Sequence, residues 1–151
     1  MSRRLMRSVR LCLALLLATS SSACLLTESC RLVNDSGSEV TIVRYRSGQD
    51  RRQTMRLKTR ESIVLPDWES WELRIVRGGE VLRYVPKVPA GRFALDQWLG
   101  VLPSRVFTLQ IDPRGRIYAL SPEQSAPATD FVNQPSGFPM TPVAPKLARA
   151  E

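Results

Sequence analysis

Two glycines, Gly78 and Gly79, sit between two runs of alternating apolar and polar residues, Trp71–Arg77 and Glu80–Val85. A two-residue connection of this kind needs positive φ at both positions, which glycine adopts without steric cost, so the segment is committed to an antiparallel hairpin. The turn fixes a register that sets Ile75 opposite Leu82 and Leu73 opposite Tyr84 on one face. Val76 then lies opposite Val81 and Arg74 opposite Arg83 on the other. The first face gathers apolar pairs, so side-chain pairing supports the register independently of the turn. Arg74 opposite Arg83 is repulsive, a pairing that suits a wet face or one turned toward an anionic partner.

The same period-two alternation runs through the middle of the chain, as expected of antiparallel strands. Arg31–Val33 is a short strand, followed by the turn cluster Asn34-Asp35-Ser36-Gly37, and Glu39–Arg46 is a β-branched and aromatic run. Met55–Arg60 alternates, with Met55, Leu57 and Thr59 facing one way and Arg56, Lys58 and Arg60 the other. Ser62–Leu65 is a further strand stopped by Pro66. Val106–Ile111 and Arg116–Leu120 form a second hairpin around Asp112-Pro113-Arg114-Gly115, the residue order of a type I turn closed by a left-handed glycine. Leu95, Trp98 and Leu99 sit at helical spacing ahead of Gly100, which predicts a short helix or helical turn, with Trp98 plugging the core.

The expected fold is all-β: a small antiparallel sandwich or partly open barrel of about seven strands. Its expected core is Leu32, Leu57, Leu65, Trp71, Leu73, Ile75, Leu82, Tyr84, Phe107, Leu109 and Ile111. Residues 31–121 form the β domain in this reading. Residues 122–151 hold six of the eleven prolines and no periodic apolar pattern, which predicts a disordered Pro-rich tail. Pro139, Pro142 and Pro145 recur every third residue, along one edge of a polyproline II helix. A plain spacer is the expected role, with docking to a protein partner as the alternative.

Ahead of the domain, Arg3, Arg4, Arg7 and Arg10 precede the uncharged run Leu11–Ala18, and small residues lead from Thr19 to Ala23 before Cys24. A basic start, a short apolar middle and a small-residue exit describe an export signal helix, residues 1–23. The apolar run is too short for a membrane span, which needs about 20 residues. Ser22-Ala23-Cys24 resembles the lipobox of bacterial lipoprotein precursors, with Ser21 where that family usually carries leucine. The resemblance covers residues 1–24 and implies cleavage before Cys24, acylation of its thiol with palmitate-type chains, and a lipid anchor. Leu25 in second place, rather than Asp, implies outer-membrane sorting with the domain in the periplasm. The alternative is a secreted or soluble periplasmic protein with an unmodified Cys24, in which Cys24 and Cys30 can form a disulfide. Residues 24–30 are then the tether to the domain.

Removing residues 1–23 takes away four arginines and no acid, leaving 18 basic against 14 acidic groups. That balance, together with export, argues against nucleic acid as a partner. The concentrated feature is a band of seven cations, Arg44, Arg46, Arg51, Arg52, Arg56, Lys58 and Arg60, opposed within its span by Asp50 alone. Such a band either keeps strand edges from aggregating or contacts an anionic surface. With a tether of residues 25–30 spanning roughly 20 Å, it is placed to meet anionic lipid or an acidic envelope polymer.

For chemistry, the chain offers little. It has no histidine, and none of the nucleophile-elbow, phosphate-loop or dinucleotide motifs. No cysteine spacing supports a zinc site, and no cofactor is expected. Asp67, Glu69 and Glu72 are the one cluster that offers a carboxylate pair for catalysis, and a solvated turn is the simpler reading. The expectation is a non-catalytic, lipid-anchored envelope protein acting as a binding or scaffold module. A secreted binder of anionic envelope ligands is the alternative, and a carboxylate-based enzyme is the improbable third.

Overall fold

The computed structural model describes residues 27–46, 51–99 and 102–143; the expected export signal, Cys24 and Pro145 lie outside them. Nine strands run in chain order: β1 (Thr27–Asn34), β2 (Val40–Arg46), β3 (Arg52–Leu57), β4 (Ser62–Pro66), β5 (Trp71–Arg77), β6 (Glu80–Tyr84), β7 (Ala94–Leu99), β8 (Leu102–Ile111) and β9 (Ile117–Leu120). They form two sheets. One has the order β3-β2-β5-β6, and the other runs β4-β1-β8-β7, with β9 also on β8. The long β8 meets β7 through residues 102–107 and β9 through residues 108–111, so two short strands share its one edge.

The two sheets face each other across one apolar core, giving the expected β-sandwich. Every residue of the expected core is buried. The alternation explains this: Val40 and Ile42 of β2, Leu73 and Ile75 of β5, and Leu82 and Tyr84 of β6 meet Leu32, Leu65, Phe107, Leu109 and Ile117 from the other sheet. The Gly78-Gly79 hairpin has the expected register throughout, including Arg74 opposite Arg83. Both glycines have positive φ, 55° and 85°. In the second hairpin, the Asp112 carboxylate accepts from the backbone N–H of Arg114 and of Arg116 at 2.9 and 2.8 Å, pinning the turn.

Four expectations need correction. The sandwich is mixed rather than wholly antiparallel, because β1 pairs parallel to β8 along its full length. This central position also explains why β1 starts at Thr27 and not at Arg31. Its polar opening, Thr27-Glu28-Ser29, is ordered by the parallel ladder to β8, joined by β4 from Ser29, rather than by apolar pattern. Residues 27–30, expected in the tether, are therefore part of β1.

The helix expected around Leu95–Leu99 is a strand. In this segment helical geometry is confined to a 3₁₀ turn over Gly91–Phe93, and from Ala94 the backbone pairs with β8. Phe93 is buried at the turn, and Asp96 lies opposite Arg105, its carboxylate accepting from Arg105 Nε at 2.9 Å. The backbone ladder and this cross-strand pair outweigh the helical spacing of three apolar residues. The side chain of Trp98 lies outside the described part of the structure.

The count is nine strands among the described residues rather than about seven.

Finally, residues 122–143 are irregular, as their prolines require, but they are packed rather than disordered. They cross the outer face of the β1/β8/β9 sheet and run along its β9 edge. Gln110, 1% exposed, exchanges two hydrogen bonds with the backbone of Ala128, at 2.7 and 2.9 Å. Phe131 stacks on Tyr118 with ring centroids 4.0 Å apart. Met140 forms a two-way backbone bridge with Ile117 and buries its side chain in the core. Val143 N then donates to Arg83 O on β6 at 2.7 Å. The segment is a strap joining the open edges of the two sheets, β9 and β6.

Candidate functional site

The outer face of the β3-β2-β5-β6 sheet is built by the residues between the core positions. Its three rows follow from the strand registers: Arg56, Thr41, Val76 and Val81; Thr54, Val43, Arg74 and Arg83; and Arg52, Tyr45 and Glu72, with Val85 just beyond β6. Among the described strand residues, four arginines thus share one face with a single acid. Arg52, Arg56 and Arg83 are exposed and Arg74 is half-buried.

Tyr45 organises the centre. The Arg74 guanidinium lies over its ring at 4.3 Å from the centroid, and that of Arg52 lies on it at 5.8 Å. Stacking leaves the in-plane N–H groups of a guanidinium free for oxygen acceptors. These side chains roof Val43, which is 4% exposed although it points away from the core.

Glu72 resolves the repulsion between Arg74 and Arg83. Its Oε1 accepts from Arg74 Nε at 2.9 Å and from Arg83 Nη2 at 3.0 Å. Partial burial pushes the Glu72 carboxyl up, but the hydrogen bonds and charges of the two arginines outweigh it, and the net shift is downward. Two guanidinium groups of the face thus converge on one carboxylate of the same chain.

The seven-cation band does not form one patch. Arg52 and Arg56 are on this face. Arg51 is exposed immediately before β3, and Arg46, half-buried, ends β2 opposite Trp71. Lys58 and Arg60 are not on the strand face with Arg56; β3 ends at Leu57, and they occupy the exposed turn to β4, where Arg60 has φ 67°.

Arg44 leaves the band altogether. β2 and β3 are neighbours, as the patch requires, but Arg44 shares the inward side with Val40 and Ile42 and is 1% exposed. Its guanidinium stacks on Trp71 at 4.4 Å and donates to the Pro66 carbonyl. Burial lowers its affinity for a proton, with nearby Cys30 and Asp67 acting in the opposite sense. It is a core residue and cannot touch a partner.

The sequence reading of the band omitted Arg74, Arg83 and Tyr45. Their signal was present in the hairpin register, which put two arginines opposite each other on the outward face. The alternation Val40, Ile42, Arg44 likewise marks Arg44 as inward.

The carboxylate group does not converge. Glu72 lies on the outer sheet face, whereas the Glu69 carboxylate accepts from Val88 N at 3.3 Å near the start of β1. Asp67, left-handed at φ 51°, opens the 3₁₀ turn Trp68–Ser70. Burial and the neighbouring Glu69 raise the pKa of Glu28 at this end. No set of histidine, cysteine and acidic side chains among the described residues is arranged to hold a metal ion. Open depressions of about 440 and 420 Å³ lie beside the strap and at the β8–β9 turn, and neither joins Asp67, Glu69 and Glu72.

Cys30 is fully buried, between Leu65 of β4 and Phe107 of β8 in the sheet register. Burial holds its thiol pKa well above the ordinary value, against a smaller opposing pull from Arg44. No family model, no curated protein and no solved structure matches this chain.

Proposed function

We propose that this protein is a non-catalytic, lipid-anchored envelope module that binds an anionic partner through the outer face of its four-stranded sheet. The observation that carries the reading is the set Arg52, Arg56, Arg74 and Arg83 on one open face, opposed among the described residues of these strands by Glu72 alone. Clustered cations on a rigid sheet raise the local concentration of an anionic partner and steer its approach, with a strong dependence on salt.

The anchor rests on the lipobox-like ending at Cys24. The position of Cys30 supports it. A Cys24–Cys30 disulfide would have to draw Cys24 into the sandwich core, against the packing of Leu65 and Phe107. Acylation of Cys24 needs no such rearrangement.

Intact mass of the protein recovered from membranes tests the anchor: a diacylglyceryl adduct on Cys24, lost in Cys24→Ser together with membrane association, is the expected result. An unmodified, soluble chain starting at Cys24 would favour the secreted binder instead. Retention of the full chain on an immobilised polyanion tests the face, with elution moving to lower salt when Arg52, Arg56 and Arg83 are changed to glutamine.

A further inference from the structure

The sandwich decides which anionic partner the face can reach. We infer that the occupant of the basic face is an acidic protein segment in the aqueous envelope, and not the bilayer that holds the anchor. This rests on the anchored reading above and deepens it.

Orientation is the first argument. With β1 starting at Thr27, only residues 25 and 26 separate it from Cys24, a reach of roughly 10 Å. β1 belongs to the sheet opposite the basic face. Paired sheets stand about 10 Å apart, and the arginines project beyond the far one. The tether is used up in crossing the sandwich, so the basic face cannot lie flat on the membrane that the anchor enters. The start of β1 shares its end of the sandwich with the Trp68–Ser70 turn, since Asp67 N donates to Glu28 O. Arg46 and Trp71, paired where β2 ends and β5 starts, lie at the same end. The domain therefore stands on its strand ends, with the basic face steeply inclined to the bilayer and open to the surrounding space.

The composition of the face is the second argument. Val81 and Val85 are 55% and 62% exposed beside Arg83, and half-buried Val76 lies opposite Val81. A uniformly charged polyphosphate or acidic glycan has nothing to place against these valines. An extended peptide that mixes carboxylates with apolar side chains matches both halves, and Glu72 shows that Arg74 and Arg83 converge on a carboxylate.

The test uses the full, membrane-extracted protein reconstituted into vesicles of phosphatidylcholine, with or without phosphatidylglycerol. The probes are a fluorescent peptide of alternating glutamate and valine, poly-L-glutamate of equal charge, polyphosphate and alginate. The peptide is expected to bind equally on both vesicle types and severalfold more tightly than poly-L-glutamate. Arg74→Gln with Arg83→Gln weakens it about tenfold, Val81→Ser removes the preference over poly-L-glutamate, and Lys58→Gln with Arg60→Gln leaves binding unchanged. Loss of peptide binding on the anionic vesicles would overturn the inference, because it would put the face on the lipid. Tighter binding of polyphosphate or alginate would overturn it in favour of those polymers. A missing adduct on Cys24 would instead refute the anchored reading, while the comparison among probes still decides the partner.

Discussion

Gln134 pairs with Ala119 as a neighbouring strand would. Its side-chain Oε1 accepts from Ala119 N and its Nε2 donates to Ala119 O, both at 2.9 Å. On either side, Ile117 exchanges backbone bonds with Met140, and Ser121 is capped by Gln124. The strap thus satisfies the outward backbone groups of β9 at alternate residues, the groups by which an open edge recruits another chain.

Replacing Gln134 with alanine removes two hydrogen bonds and leaves a backbone donor and acceptor partly buried. A loss of about 1–3 kcal/mol in urea unfolding is expected. Ending the chain after Ser121 also withdraws Met140 from the core. That truncation is expected to associate through β9, seen as a concentration-dependent rise in mass by light scattering.

Arg44 and Arg56 make opposite predictions despite lying in one sequence band. Arg44→Ala removes a buried guanidinium from Trp71 and from the Pro66 carbonyl and leaves a cavity, so a loss of about 2–4 kcal/mol is expected. Arg56→Ala is expected to stay within about 0.5 kcal/mol of the parent. Paired denaturation curves check both.

Thiol labelling separates the fates of the two cysteines downstream of the signal. Buried Cys30, with its raised pKa, is expected to resist iodoacetamide in the native protein and to react in denaturant. An acylated Cys24 adds no thiol, so the mature chain should show none when native and one when unfolded. One native thiol would mean that Cys24 is free.

Glu72 links the face to pH. Its carboxyl titrates below the usual range in the folded state. Its stabilising contribution is therefore fully present above the unfolded value of about 4.3 and is lost as pH falls through the lower folded value. With the pair partly exposed, that contribution stays under about 1 kcal/mol. Glu72→Gln should remove this acid-limb dependence and, by freeing Arg74 and Arg83, raise affinity for polyphosphate at neutral pH.

Much of the sandwich was legible because one face of each strand is dry. Leu73, Ile75, Leu82 and Tyr84 alternate cleanly, and Gly78-Gly79 locks their register. The missing parts fail that condition in different ways. β7 presents Leu95, Trp98 and Leu99 at helical spacing, and the hairpin ladder to β8, which follows it directly in the chain, makes it a strand. The strap has no apolar period because side-chain amides, not a repeating strand pattern, bind it: its own Gln134 and Gln124 reach Ala119 and Ser121, and Gln110 of β8 reaches the Ala128 backbone. The parallel β1–β8 pairing joins segments far apart in the chain and leaves no local signal. For the site, two of the seven band cations, Arg52 and Arg56, lie on the outer sheet face; Arg44 does not, and Arg74 and Arg83 enter from a hairpin whose register was already fixed.

The most direct measurement of the central claim compares two double variants that remove the same charge from different places. At about 0.1 M salt, where screening extends over roughly 10 Å, Arg56→Gln with Arg83→Gln should weaken polyanion binding about tenfold, equivalent to ~1.4 kcal/mol. Lys58→Gln with Arg60→Gln, in the β3–β4 turn, should change it less than twofold. Equal losses in the two variants would contradict the account, because net charge rather than the four-stranded sheet face would then be the binding determinant.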